Sequence, residues 1–310
     1  MPRRLRGGRG ASRARPWNDA FCAEGLAMAA DDPKTLVSTE WLEAHLEDPD
    51  LRILDATYFL PGVDRDAKAE YATSHIPGAR YFDINEIADA RSALPHMAAP
   101  VEKFVSRMRA MGVGDGHQVV VYDAMGLFSA ARVWWNFRLM GKNDVAVLDG
   151  GLPKWKAEGR PLEDMPPILR DRHITVQRQA HLVKDVTQVA AASKLGDWQI
   201  VDARSPGRFR GEEPEPRPGM RSGHIPRSKN VHYASLLNAD GTMKDNEALR
   251  AIFEAAGVDV GKRTITTCGS GVTAAIVMLA LHRLGNADVS LYDGSWSEWG
   301  QFEQLQVETG

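Results

Sequence analysis

Short apolar runs alternate along this chain with longer stretches in which apolar side chains return every three or four positions. ILDA, VVVYD and VAVLD are continuous and rich in β-branched residues, the pattern of parallel strands buried on both faces by helices. TEWLEAHLE (39–47), PVEKFVSRMRAMG (100–112) and SAARVWWNFRLMG (129–141) carry the helical spacing. The same order returns further on, with QIVDA, TITTC and VSLYD as strands and TQVAAASKLG (187–196), DNEALRAIFEAAG (245–257) and TAAIVMLALHRLG (273–285) as helices. Glycine closes most of these helices, among them at Gly112, Gly141, Gly257 and Gly285, where a left-handed residue ends a helix without a Cβ penalty.

The recurrence extends to spacing. Asp55 precedes His75 of HIPGA by 20 residues, and Asp202 precedes His224 of HIPRS by 22. Asp123 and Asp149 are 26 apart, Cys268 and Asp293 25. Two copies of one α/β module explain this most economically. RPLEDMPPILRDRH (160–173) is rich in proline and charge and predicts an extended connection. The expected organisation is an N-terminal extension at 1–30, a first domain at 31–160, a linker at 161–180 and a second domain at 181–310. A cleft between two such domains is a common place for a small-molecule site.

Composition then narrows the function. With 43% hydrophobic and 25% charged residues and a net charge of -3, the chain offers no broad basic surface for nucleic acid. Its longest apolar stretch, AAIVMLAL, falls well below the ~18 residues that span a bilayer, so no membrane partner is expected. Residues 1–30 hold six arginines against Asp19 and Glu24. That stretch reads as a disordered tail or an over-extended start, with a transit peptide as the alternative. A cytoplasmic location is expected, mitochondrial if the Arg-rich segment is a targeting signal. Cys22 and Cys268 are the only cysteines, too few for a disulfide framework and without the spacing of a zinc site.

Cys268 carries the candidate chemistry. In TTCGSGVTA it follows a strand and precedes a helix, at the sheet edge where open α/β folds place ligands. Gly269 and Gly271 free the backbone to converge its N–H groups on one point, and the next helix adds its positive end. Such a cradle favours thiolate over thiol and would hold a larger sulfur anion. The bland alternative is a small core thiol. In GRFRGEEPEPR (207–217) arginines and glutamates interleave, either as a solvated loop of paired charges or as a clamp in which two arginines grip a substrate carboxylate. A cysteine phosphatase is excluded locally, because position 274, six residues after the cysteine, is alanine.

Together HIPGA, HIPRS, GRFRGEEPEPR, CGSGVTA and YDGSWSEWG resemble the tandem rhodanese-type sulfurtransferases, and among them the 3-mercaptopyruvate sulfurtransferases, over about Lys34 to Gln306. The resemblance implies an α/β fold of two tandem rhodanese-like domains, each a mainly parallel five-stranded sheet flanked by helices, with only the second catalytic. It implies Cys268 as nucleophile and persulfide carrier, Arg208 and Arg217 as substrate-binding arginines, and backbone N–H groups of Gly269, Ser270, Gly271, Val272 and Thr273 as the anion cradle. It also implies a proton relay of Ser270, His96 and an aspartate, whose place in FDIN is taken here by Asn85. The implied reaction moves sulfur from 3-mercaptopyruvate to cyanide, a thiol or a dithiol protein such as thioredoxin, with no cofactor and no metal, in a monomer. Thiosulfate:cyanide sulfurtransferase activity is the alternative, disfavoured by the uncharged Gly269-Ser270 pair; a non-catalytic persulfide carrier is the other. His75 and His224, present in both copies, read as structural hydrogen-bonding residues, and Trp296 and Trp299 as packing of the final segment.

Overall fold

A computed structural model describes residues 31–310; Cys22 and the Arg-rich start lie outside the described residues. The first repeat runs β1 (Leu36–Val37), α1 (Thr39–Ala44), β2 (Leu51–Asp55), α2 (Ala67–Thr73), β3 (Arg80–Tyr81), α3 (Val101–Ala110), β4 (Gln118–Tyr122), α4 (Ala130–Leu139), β5 (Val145–Leu148) and α5 (Gly151–Ala157). The second runs β6 (Val183–Lys184), α6 (Val186–Leu195), β7 (Gln199–Asp202), α7 (Pro206–Arg210), β8 (Lys229–Asn230), α8 (Asn246–Ala255), β9 (Thr264–Thr267), α9 (Ala274–Arg283), β10 (Val289–Tyr292) and α10 (Ser295–Trp299). Each repeat builds a five-stranded sheet, in the orders β1-β5-β4-β2-β3 and β6-β10-β9-β7-β8. Every strand pairing in both is parallel.

Alternate residues of each central strand feed opposite layers, as the strand period requires. From β4, Val119 and Val121 join the core that contains Phe104, Phe137 and Trp135, while Val120 and Tyr122 join the layer of Leu42, Leu152 and Trp155. Helices α4 and α9 are buried around almost their whole circumference, as helices enclosed on all sides are. They pack on one another between the sheets, and one continuous apolar core runs through both halves. The polar caps are local: Asp185 accepts from Gln188 N–H at the start of α6 and forms a full capping box there.

Six helices read from the sequence are present, α1 in a shorter form. The edge strands β1, β3, β6 and β8 have two residues each, too few to show a period. Residues 160–179 form no helix or strand and lie along the first repeat, where Gln177 N–H donates to Met140 O and Gln179 N–H to Leu139 O. Because all strands run parallel, the turns after β4 and β9 both emerge at the C-terminal edge of their sheets. Asp123 stands at the head of the first turn and Cys268 at the head of the second.

Candidate active site

Cys268 follows β9 directly and is 2% exposed. The carbonyls of its turn are drawn outward. Cys268 O accepts Trp296 N–H at 2.9 Å, Gly269 O accepts Ser297 N–H at 2.8 Å and its hydroxyl at 2.6 Å, and Gly271 O accepts Arg132 Nη1 at 3.2 Å. In a trans peptide the following N–H points the opposite way, so those of Gly269, Ser270 and Val272 face inward. Gly271 sits at φ +75°, the left-handed conformation that lets the turn close. Among the described residues, the N–H groups from Gly269 to Thr273 donate to no protein acceptor. Buried amides are almost always paired, so this turn holds donors free to meet an anion.

The first repeat shows the same turn filled. Gly126, three residues after Asp123 as Gly271 is after Cys268, also takes a positive φ, +100°. The Asp123 carboxylate accepts N–H bonds from Met125 at 2.9 Å and from Phe128, Ser129 and Ala130 at 2.8 Å each. It is fully enclosed, and burial pushes its pKa up against the pull of those four bonds. One repeat thus fills the cradle with its own carboxyl group, and the other carries a thiol at the same place in the turn.

Both expected arginines reach the sulfur-bearing turn. A Cβ on Gly269 would lie 3.1 Å from Arg208 Nη2 and 3.9 Å from Arg217 Nη1. Arg208, on α7, is tied to Glu215 through Nη2 at 2.5 Å and Nε at 3.2 Å. Glu215 also takes Arg204 Nη1 at 2.7 Å, and Arg204 is locked by Asp202 beneath it and stacked over Trp296. Arg217 pairs with no carboxylate among the described residues. The segment therefore combines both readings of its charges. Arg204 and Arg210 are spent on neighbouring acids, Arg221 on four carbonyls of the final segment, and Arg208 and Arg217 converge on the turn.

His96 comes from the other half. It is buried, takes φ +60°, meets Tyr58 edge-on at 4.9 Å, and has no hydrogen-bond partner on either ring nitrogen. Burial, with Arg132 and Arg217 adding repulsion, pushes its pKa down to about 3, so the ring is neutral. Neither Ser270 nor Asn85 bonds it; Asn85 is exposed, and its backbone N–H goes to Asp83 Oδ1. The implied relay is not assembled here. His75 and His224 are structural, each bonding a carbonyl through Nδ1 (Tyr71 O at 2.7 Å, Phe209 O at 2.8 Å) and stacking on the same residue's ring. Trp296 and Trp299 are buried packing residues.

Residues 38–158 and 185–302 each match the model of the rhodanese-like domain. The chain belongs to the rhodanese family. The 3-mercaptopyruvate sulfurtransferase of Escherichia coli K12 is 44% identical over 88% of this chain and 97% of its own. An Arabidopsis thaliana protein named thiosulfate/3-mercaptopyruvate sulfurtransferase 1, mitochondrial, is 41% identical over 88% of this chain and 78% of its own. The crystal structure of SseA from Escherichia coli superposes with a TM-score of 0.78 at 41% identity, covering 85% of this chain and 99% of that one. The protein is a sulfurtransferase, and its partners are a small sulfur donor and an acceptor.

Two features of this rhodanese pair went unread in the sequence. Arg132 lies inside an apolar helix pattern, where a lone cation gives no hint of the other half it reaches. Glu215 reads as one acid among several, although among the described residues it alone bridges two arginines.

Proposed function

We infer that the protein transfers sulfur from 3-mercaptopyruvate through a persulfide on Cys268 to cyanide, a thiol or a reduced dithiol protein of the thioredoxin kind. The observation that carries this reading is the open ring of unpaired amides at Cys268, faced by Arg208 and Arg217. The Cys268 thiolate attacks the donor sulfur, the carbon–sulfur bond breaks, and its electron pair leaves as pyruvate enolate, which takes a proton to become pyruvate. Arg208 and Arg217 hold the donor carboxylate and polarise the adjacent keto oxygen, so the enolate leaves more readily. The N–H groups of Gly269, Ser270, Gly271, Val272 and Thr273 hold the persulfide until an acceptor nucleophile takes its outer sulfur and the thiolate returns. His96, neutral and unpaired, is available to pass a proton with Ser270, without a carboxylate behind it.

In this reading residues 31–160 are a non-catalytic half, 181–310 the catalytic half, 161–180 their linker and 1–30 a dispensable extension. A monomer is proposed, since both halves of the cleft come from one chain. The cytoplasmic setting belongs to the same proposal; import of a tagged chain into mitochondria would replace it. The test compares 3-mercaptopyruvate with thiosulfate, cyanide as acceptor, in the protein and in Cys268→Ser. A clear thiosulfate preference would reassign the donor, and sulfur transfer retained by Cys268→Ser would remove the nucleophile.

A further inference from the structure

The two repeats share an inter-domain device. Asp149, after β5, accepts Met243 N–H of the second half at 2.7 Å, and Asp293, after β10, accepts Ala98 N–H of the first at 2.8 Å. The likeness ends at the other oxygen of Asp293, which is ion-paired with Arg132 Nη2 at 2.6 Å, Arg132 being 1% exposed. Arg132 is the third residue of α4, and the third residue of α9 is Ile276, also fully buried. The fold therefore accepts a hydrocarbon at this place. Burying a guanidinium and a carboxylate carries a desolvation cost that packing alone does not require.

Its remaining donors show what the arginine serves. Nη1 bonds Gly271 O at 3.2 Å, Nη2 bonds His96 O at 2.5 Å, and the guanidinium lies 4.2 Å over the Trp135 ring. We propose that Arg132 is a positioning residue, lent by the cysteine-free half to the sulfur-bearing turn: by holding the Gly271 carbonyl it aims the Val272 N–H at the Cys268 sulfur. The peptide plane fixes that relation, because carbonyl and amide hydrogen point opposite ways. The second donor holds the left-handed His96 segment, so one planar fork sets the turn and the facing wall together. Asp293 cancels the charge, and what reaches the sulfur is the direction of an amide. The other charged or titratable groups near the thiol are Arg208, Arg217, His96 and Tyr233; Arg208 is held by Glu215, and Arg132 bonds the backbone of His96 but none of these four side chains.

The inference rests on Cys268 as nucleophile, and the two fail separately. The full chain is compared with Arg132→Met/Asp293→Asn, which removes both charges and keeps an acceptor for Ala98 N–H, and with Arg132→Lys, which keeps the ion pair without the fork. Three quantities are read: kcat for pyruvate release, the melting temperature, and the pH midpoint of iodoacetamide alkylation on the Cys268 peptide. The double variant is expected to lose about ten- to a hundred-fold in kcat, less than the roughly hundred- to thousand-fold cost of removing such a donor outright because the amide is misaimed and not lost, with the alkylation midpoint raised by about one pH unit. Arg132→Lys is expected to move both in the same direction with its melting temperature unchanged, and it carries the test alone if the double variant does not fold. Parent-like kcat and midpoint in either folded variant, or a kcat loss with an unmoved midpoint, overturns the assignment. If the unaltered protein releases no pyruvate from 3-mercaptopyruvate, the sulfur-transfer reading fails, while the alkylation midpoint still decides on Arg132.

Discussion

Replacing the two cleft arginines one at a time should give unequal losses, Arg217→Ala the larger. Both guanidinium groups stand beside Gly269, but Arg208 is already neutralised by Glu215 at 2.5 Å, whereas Arg217 faces the cleft without a carboxylate. A donor carboxylate thus gains a full charge-assisted hydrogen-bonded pair from Arg217, about 1.5–3 kcal/mol. From Arg208 it gains a contact shared with Glu215, about half as much. At 1.36 kcal/mol per tenfold, Arg217→Ala should lower kcat/KM for 3-mercaptopyruvate by about a hundred-fold and Arg208→Ala by about ten-fold. Steady-state pyruvate release with cyanide saturating measures both. Saturating cyanide keeps the second half-reaction from hiding the first. The loss at Arg217 should grow smaller with added salt, because its charge is less screened by protein partners than that of Arg208. Equal losses, or a larger one at Arg208, would refute the division of labour drawn from Glu215.

Gly271→Ala should destabilise by about 1–3 kcal/mol and lower kcat as well, since φ is +75° and the new Cβ would meet Arg132 Nη1 and Asp293 O at 2.9 Å; urea unfolding and a rate assay check it. Gly269→Ala, with no such φ, should leave stability within about 0.5 kcal/mol and act mainly on KM, through the 3.1 Å approach to Arg208. His96 has its folded pKa lowered to about 3 from 6.5, so the unfolded chain binds the proton more readily between those values and stability falls as pH falls through that window. The difference in unfolding free energy between the protein and His96→Gln should therefore slope between pH 6 and 4 by up to about 1.4 kcal/mol per unit; a flat difference contradicts a neutral buried ring. Asp55 and Asp149, each raised to about 6 by burial, slope the other way and cancel in that difference.

The sequence was legible where burial forces a pattern. The central strands are enclosed on both faces and read as unbroken β-branched runs, and α3, α4, α8 and α9 have ten residues each, long enough for their period to show. Helices α7 and α10 have five residues and are held by contacts made elsewhere: α7 by Arg204 and Glu215 around it, α10 by the carbonyls of Cys268 and Gly269. Cys268 was visible because Gly269 and Gly271 follow it. Arg132 was not, because its partners lie 139 and 161 positions away, at Gly271 and Asp293. Asn85 does not reach His96 for a local reason: it lies on an exposed turn closed by Asp83, and nothing in FDIN announces which way that turn faces.

The filled turn in the first half gives a direct energetic comparison for the open one in the second. Asp123→Ala would strip an acceptor from three buried amides and one half-buried one and, at about 1 kcal/mol or more for each buried group left unpaired, should cost at least about 3 kcal/mol by urea unfolding. Cys268→Ala should cost far less, because the amides of its turn are unpaired already and only a small side chain is lost. If both substitutions cost the same, the open amides are not a standing strain, and the idea that the second repeat keeps its cradle vacant for a sulfur anion loses its energetic ground. If they differ as expected, a persulfide on Cys268 should itself stabilise the fold, since it would supply to that turn the anion that Asp123 supplies to the other. Melting temperature measured before and after sulfur loading, with cyanide added to unload, would read that gain as a reversible shift.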